Sequence, residues 1–303
     1  MGKRIEPLLK TVIGSYPTPG LKGLEAVRRA VEDQIQVGVE LVSDGQTRKD
    51  MVSYFADHIP GFRIKEDKLN ITDKISSPDD SPIVKDLLFA KKILPEGRAL
   101  KGILTGPVTL ISSAKIERSS PYQGFLDQKL YVDMGEALRK EADLLIKTGI
   151  SYLQIDEPFY SVGAPLDLAE ISIRIITENI KLPVALHVCG NITKVLHRLV
   201  KFPGVDVLSL EFAASPGNFS AVNRSELEEN GKILGVGCVN SQSNEVEAVE
   251  VIKGILDKAV SIIGSEDIVV HPDCGLKLLS PESAYNKLDN MVKATDGLKY
   301  NVK

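Results

Sequence analysis

The sequence predicts a (β/α)8 TIM barrel, read as a single domain over residues 1–303. Three observations carry that reading. Eight short runs rich in β-branched residues alternate with longer segments whose apolar residues recur every three or four positions. Most of the short runs are almost continuously apolar, as a parallel sheet covered by helices requires. The GxGxxG fingerprint expected after the first strand of a doubly wound dinucleotide fold is missing.

The elements follow in order. TVIGSYP (11–17) is the first strand, and the helical pattern GLEAVRRAVEDQIQVG leads from it to VELVSDG (39–45). Residues 54–84 are the longest irregular segment, a solvated excursion or a cover for an active site. LKGILTGP (100–107) is the third strand, and LYVDMGEALRKEADLLIKTG leads to the fourth, YLQIDEP (152–158). LAEISIRIITENI precedes VALHVCGN (184–191), and ITKVLHRLVKF precedes VDVLSLEFA (205–213). KILGVGCVN (232–240) is the seventh strand. EVEAVEVIKGILDKAVSIIG then leads to DIVVHPDCG (267–275), and PESAYNKLDNMVKAT is the last helix. Three of these helices close on Gly38, Gly149 and Gly264, which suit a C-cap.

Composition narrows the function. Apolar residues make up 43% and charged residues 26%, ordinary for a globular protein with its own core. A net charge of −4 gives no reason to expect a nucleic-acid partner. Three cysteines argue against a disulfide framework and for a reducing compartment. Neither a signal-type leader nor a run of about 18 apolar residues is present, so the expectation is a cytoplasmic protein with no membrane span.

A barrel enzyme places its chemistry at the C-terminal ends of its strands. Here those ends carry Ser15, Asp44, Thr105, Asp156 with Glu157, His187 with Cys189, Glu211, Asn240, and Asp273 with Cys274. Residues i and i+2 of a strand share a face, so His187 and Cys189 project together. With Glu211 and Cys274 they make an imidazole, two thiols and a carboxylate, a set suited to Zn²⁺. A strand cysteine is also a common small core residue. Cys238 reads that way, and His197 reads as a helix-surface residue.

At these residues the sequence resembles the catalytic C-terminal half of cobalamin-independent methionine synthases, in particular their short archaeal form. TVIGSYP, DGQTRKDMVSYFADHIPGF, LKGILTGPVTL, LQIDEP, LHVCGN, LEFA and HPDCGLK carry the resemblance, in order, from Thr11 to the last helix. It implies one zinc ion on His187, Cys189, Glu211 and Cys274. It implies homocysteine contacts at Ile13, Gly14, Ser15 and Asp156. A family glutamate that also contacts the substrate falls on Gln46. A free thiol, pKa about 8.5, is largely protonated at neutral pH, and zinc favours the thiolate that attacks a methyl group. Asp156 would hold the substrate ammonium, and Ser15 with a neighbouring backbone N–H its carboxylate. Glu211, the poorest ligand for a thiophilic metal, is expected to yield to the substrate sulfur.

Three positions depart from the folate-using members of that family. Their stacking tryptophan falls on Ser113, a glutamate on Val162 and a proton-donating histidine on Gln242. A folate amine leaves only when protonated, whereas Co(I) leaves a methylcorrinoid without a proton. The departures therefore imply a methylcorrinoid donor, with a corrinoid protein as the expected carrier. His271 as a displaced acid, a separate N-terminal-like barrel chain supplying donor-binding groups, and a methyl-folate or methyl-pterin donor are alternatives. So are another thiol such as coenzyme M, and a zinc- or corrinoid-protein-binding module that needs a partner for activity.

Overall fold

The computed structural model describes residues 5–298. Its strands are β1 (Leu9–Lys10), β2 (Leu41–Val42), β3 (Phe62–Lys65), β4 (Lys68–Ile71), β5 (Ala99–Thr105) and β6 (Lys115–Ile116). They continue with β7 (Tyr152–Asp156), β8 (Val184–Val188), β9 (Val207–Glu211), β10 (Ile233–Gly237) and β11 (Ile268–His271). Eight of them run in the order β1–β11–β10–β9–β8–β7–β5–β2, each neighbouring pair parallel. A parallel bridge from Thr11 to Leu41 brings the two ends together, so the ring is nearly closed. This is the expected barrel.

Its interior changes character layer by layer. Leu41, Tyr152, Ala185, Val207 and Val269 pack together near the N-terminal ends of their strands and fill the base. Two residues further along the same strands, on the same face, stand Ser43, Gln154, His187, Ser209 and His271, all buried. Lys101 of β5 joins this polar layer and is also buried. A further two residues on come Asp156, Cys189, Glu211 and Asp273, at the mouth. Period-two alternation thus raises an apolar floor into a chemical rim.

The helices are α1 (Gly23–Gln36), α2 (Met51–Ala56), α3 (Pro82–Ile93), α4 (Pro107–Ser112) and α5 (Gln128–Lys147). They continue with α6 (Leu166–Thr177), α7 (Leu196–Leu199), α8 (Arg224–Glu229), α9 (Val249–Ile263) and α10 (Pro281–Asp296). Asp127 and Ser280 cap α5 and α10 by accepting N–H bonds from Lys129 and Ser283. Gly38, Gly149 and Gly264 all take positive φ at helix ends, as their placement predicts. Helix α3 was not anticipated, although Ser81 followed by Pro82 is a start signal. Pattern 192–202 yields only the short α7.

Two expectations change. The strands stop earlier than their apolar composition suggests, and β1 precedes the expected 11–17. The chain past the strand ends has turned into mouth loops, where Gly190 takes φ +83° and Pro158 opens a short 3-10 turn. The segment 54–84 is not irregular throughout: β3 and β4 form an antiparallel hairpin, joined in parallel by β6. Glu66 and Asp67 both take positive φ in its two-residue turn, which makes the tight reversal. Phe62, Ile71 and Ile75 bury its apolar side.

His58 pins this excursion to the barrel wall. Its Nε2 lies 3.1 Å from Oε2 of the fully buried Glu141 on α5, whose other oxygen accepts from the Ser81 hydroxyl. Burial opposes charge on His58, but the hydrogen bond and attraction of Glu141 outweigh it and raise its pKa. A raised folded-state pKa adds stability that is complete below the unfolded value of about 6.5 and is lost as pH rises through the folded value. In urea titrations the wild type should therefore lose about 1 kcal/mol more than His58→Gln as pH rises from 5.5 to 8.5. Parallel stability curves for the two proteins would contradict the pairing.

Candidate active site

His187 is placed by β8 and Cys189 by the first turn beyond it, while Cys274 rides the loop after β11. A His187 ring nitrogen and the sulfurs of Cys189 and Cys274 lie within 4.8 Å of one another, the one such converging group of three among the described residues. The His187 Nδ1 lies 3.0 Å from the Ser209 carbonyl, which accepts only from a protonated nitrogen. That bond leaves the lone pair on Nε2, which is buried and has no hydrogen-bond partner. An orphaned imidazole nitrogen beside two thiols fits a metal, and one histidine with two cysteines and an open position is a catalytic type of zinc set. The Cys274 hydrogen bond holds the Cys189 thiol below its usual pKa, and the same bond pushes Cys274 up.

The fourth expected ligand stands apart from this group. Glu211 ends β9, but its carboxylate accepts from the Gly190 N–H at 3.1 Å and the Ser215 hydroxyl at 2.6 Å. It nonetheless lines a cavity of about 320 Å³ that it shares with Cys189, Cys274, Ser241, Gln242 and Asn244.

A second cavity of about 320 Å³ lies on the other side of the two cysteines. Ile13, Ser15, Gln46, Asp156 and His187 line it together with both thiols. Gly14 backs this wall, and a Cβ there would fall 2.5 Å from the Gln46 Oε1, so only glycine leaves that side chain its place. Asp156 is buried, which raises its pKa against the attraction of His187, the Gln154 hydrogen bond and the attraction of Lys101. Every substrate residue expected from the sequence thus borders or backs one space.

The remaining strand-end polar groups hold loops. Glu157, fully buried, accepts from the backbone N–H groups of Val108 and Thr109 and from the Thr109 hydroxyl, fixing the start of α4. Burial pushes its pKa to about 8. The approach is so close that a Cβ on Gly106 would lie 2.3 Å from that carboxylate. Asp273 accepts from the N–H groups of Phe212, Ala213 and Ala214 and so shapes the chain just past Glu211. Asp44, pushed up to about 6 by burial, accepts from the Gln46 N–H at 3.2 Å. Thr105 donates to the Met51 carbonyl at 2.8 Å, and the Asn240 N–H donates to Glu247.

His271 is fully buried and its Nδ1 lies 2.7 Å from the Pro272 carbonyl. Burial depresses its pKa to about 3, so it is no proton donor at neutral pH. Cys238 is a buried core residue and His197 is exposed, both as read from the sequence. Two residues that touch the site's supports escaped the sequence reading: Lys101 and Gln154, each inside an apolar run. The dissonance of a lysine in a core strand was the available signal.

Because Cys189 and Cys274 border open cavities and Cys238 does not, thiol alkylation of the native metal-free protein should label two of the three cysteines. One equivalent of Zn²⁺ should protect both. Protection of only one, or fast labelling of Cys238, would show a different ligand set.

Known proteins resemble this chain over nearly its whole length. The family profile described as "Cobalamin-independent synthase, Catalytic domain" matches residues 22–297. A methionine synthase of Methanothermobacter marburgensis is 37% identical over 95% of this chain and 99% of its own length. One from Methanocaldococcus jannaschii is 37% identical over 96% of this chain and 100% of its own. The solved structure of a B12-independent methionine synthase from Shewanella sp. W3-18-1, in complex with selenomethionine, shares the fold with a TM-score of 0.81. It is 24% identical and covers 96% of this chain and 97% of that one. No helix among the described residues is long and apolar enough to cross a membrane. The strand order, the His–Cys–Cys group and these matches agree: the chain belongs to the cobalamin-independent methionine synthase family, as a form of its catalytic domain.

Proposed function

We propose that this protein is a zinc-dependent methyltransferase that converts homocysteine to methionine. One observation carries the reading: the partnerless Nε2 of His187 and two thiols converge beside a cavity whose other wall is Asp156 with residues 13–15. Zinc on His187, Cys189 and Cys274, with Glu211 as fourth ligand, would supply the Lewis acid that keeps a substrate thiol ionised at neutral pH.

The chain's own groups then divide the work. Asp156 receives the ammonium of the amino acid. Ser15 and a neighbouring backbone N–H receive its carboxylate, with Ile13, Gly14 and Gln46 closing that side. Glu211 would be the ligand to give way to the substrate sulfur, a role supported by the Gly190 N–H and the Ser215 hydroxyl, which offer its carboxylate partners of their own. The sulfur–carbon bond forms as the methyl group's bond to its donor breaks, and the electron pair of that bond departs with the donor.

The same observations shape the donor. In the cavity on the Glu211 side, Gln242, Ser241 and Asn244 offer no acid, and His271 stays neutral. Ser113 spends its hydroxyl on the Thr109 carbonyl, and Val162 is exposed. A leaving group that departs without a proton suits such a wall, so the proposed donor is a methylcorrinoid acting as a co-substrate. The family's description as cobalamin-independent favours the other reading, a methyl-folate or methyl-pterin donor.

Turnover of homocysteine with methylcobalamin and with methyl-tetrahydrofolate, each with and without a chelator, separates these readings. The expected result is methionine from methylcobalamin only, abolished by zinc removal. Methionine from the folate alone would overturn the donor, and methionine formed by fully zinc-free protein would overturn the mechanism. Asp156→Asn should raise the KM for homocysteine about tenfold or more, matching the ~1.5–3 kcal/mol of a charged hydrogen bond. An unchanged KM would remove Asp156 from the amino-acid site.

A further inference from the structure

Beneath Asp156 the barrel buries a lysine, whose pKa burial lowers to about 7 against the attraction of Asp156. Lys101 is 1% exposed and stands in the polar layer where the neighbouring floor is wholly apolar. A lysine there loses hydration that an aliphatic side chain of similar volume would not need. Its hydrogen bonds show what the burial achieves. The Lys101 Nζ donates to the Val12 carbonyl and, at 2.6 Å, to the Oε1 of Gln154. Gln154, also 1% exposed, donates its Nε2 to the Ile13 carbonyl at 2.8 Å and to the Asp156 Oδ1 at 2.6 Å.

The orientation of that amide is forced. The Lys101 nitrogen donates to the oxygen end of Gln154, and the Ile13 carbonyl and Asp156 carboxylate offer only acceptors to its other end. The nitrogen end must then face the two acceptors, Ile13 and Asp156. With Lys101 gone, the oxygen of Gln154 loses its donor and the amide is held from its nitrogen end alone, free to swing about that end and carry the Asp156 contact with it. One lysine thus pins the carbonyls of residues 12 and 13, directly and through Gln154, and one carboxylate oxygen of Asp156. Of these, Asp156 is the group that meets the ammonium of an amino acid.

We propose that Lys101 and Gln154 are positioning residues for α-amino-acid recognition: Lys101 steadies the amide of Gln154, which holds Asp156 for the ammonium. The inference rests on the reading of that cavity as the homocysteine site. It makes the pair a determinant of thiol choice, favouring a thiol that carries an ammonium over the same chain without one.

The test compares homocysteine with its des-amino analogue, 4-mercaptobutyrate, by calorimetric Kd on the zinc-loaded full chain, without any methyl donor. Lys101→Met should weaken homocysteine at least tenfold and change 4-mercaptobutyrate less than twofold, at unchanged zinc content. In an Asp156→Ala background the same substitution should weaken homocysteine less than twofold, because the group it positions is gone. With turnover, the Lys101→Met effect should fall on KM, with kcat within threefold. Gln154→Met, which leaves Lys101 bonded to the Val12 carbonyl, should reproduce the result and replaces Lys101→Met if that chain does not fold. Equal weakening of both thiols, or of neither, overturns the proposal, since a merely structural role does not sense the ammonium. A wild type that does not prefer homocysteine would instead overturn the reading of Asp156, and the inference with it.

Discussion

Parallel closure is the constraint on which everything else here depends. Because all eight strands of the ring point the same way, each delivers the residue just past its end to one mouth. Side chains two apart share a face, so Ala185, His187 and Cys189 climb one strand from floor to rim. Cys274 enters from the far end of the sequence, yet its sulfur is within 4.8 Å of the others because β11 runs parallel with β8 in the same ring. No local motif could bring a residue 85 positions away to that point; the topology does.

The rim is held by carboxylates used as anchors. Glu157 grips the start of α4, Asp273 gathers three successive N–H groups beyond β9, and Asp44 steadies the turn at Gln46. Each buried acid replaces lost hydration with backbone donors, and its pKa shift reflects the burial that remains uncompensated. The result is a mouth in which loops, ordinarily the mobile part of a barrel, are tied to the strands below them. Lys101 and Gln154 extend the same principle one layer down, where a buried lysine bonds an amide and the amide bonds an acid.

Much of this was legible in the sequence, for reasons that can be named. Eight β-branched runs with helical periodicity between them are the direct imprint of the fold, and the HVC spacing reports the shared face of His187 and Cys189. Strand ends were misjudged because mouth loops carry apolar and small residues that read like strand. The hairpin at 62–71 was missed because its strands are short and largely exposed, leaving little alternation to detect. Glu211 shows the limit most clearly. Residue type and position marked it as a ligand, but only coordinates show its carboxylate engaged by the Gly190 N–H and Ser215. Lys101 and Gln154 sit inside runs read as core, where their chemistry is invisible until their partners are known.

The central claim is that His187, Cys189 and Cys274 hold zinc while Glu211 surrenders its place to the substrate sulfur. X-ray absorption at the zinc edge, on the loaded protein before and after addition of homocysteine, tests it most directly. The account predicts two sulfur ligands with two lighter ones at first, and three sulfurs with one lighter ligand once homocysteine is bound. A sulfur count that stays at two when the thiol is present would contradict it.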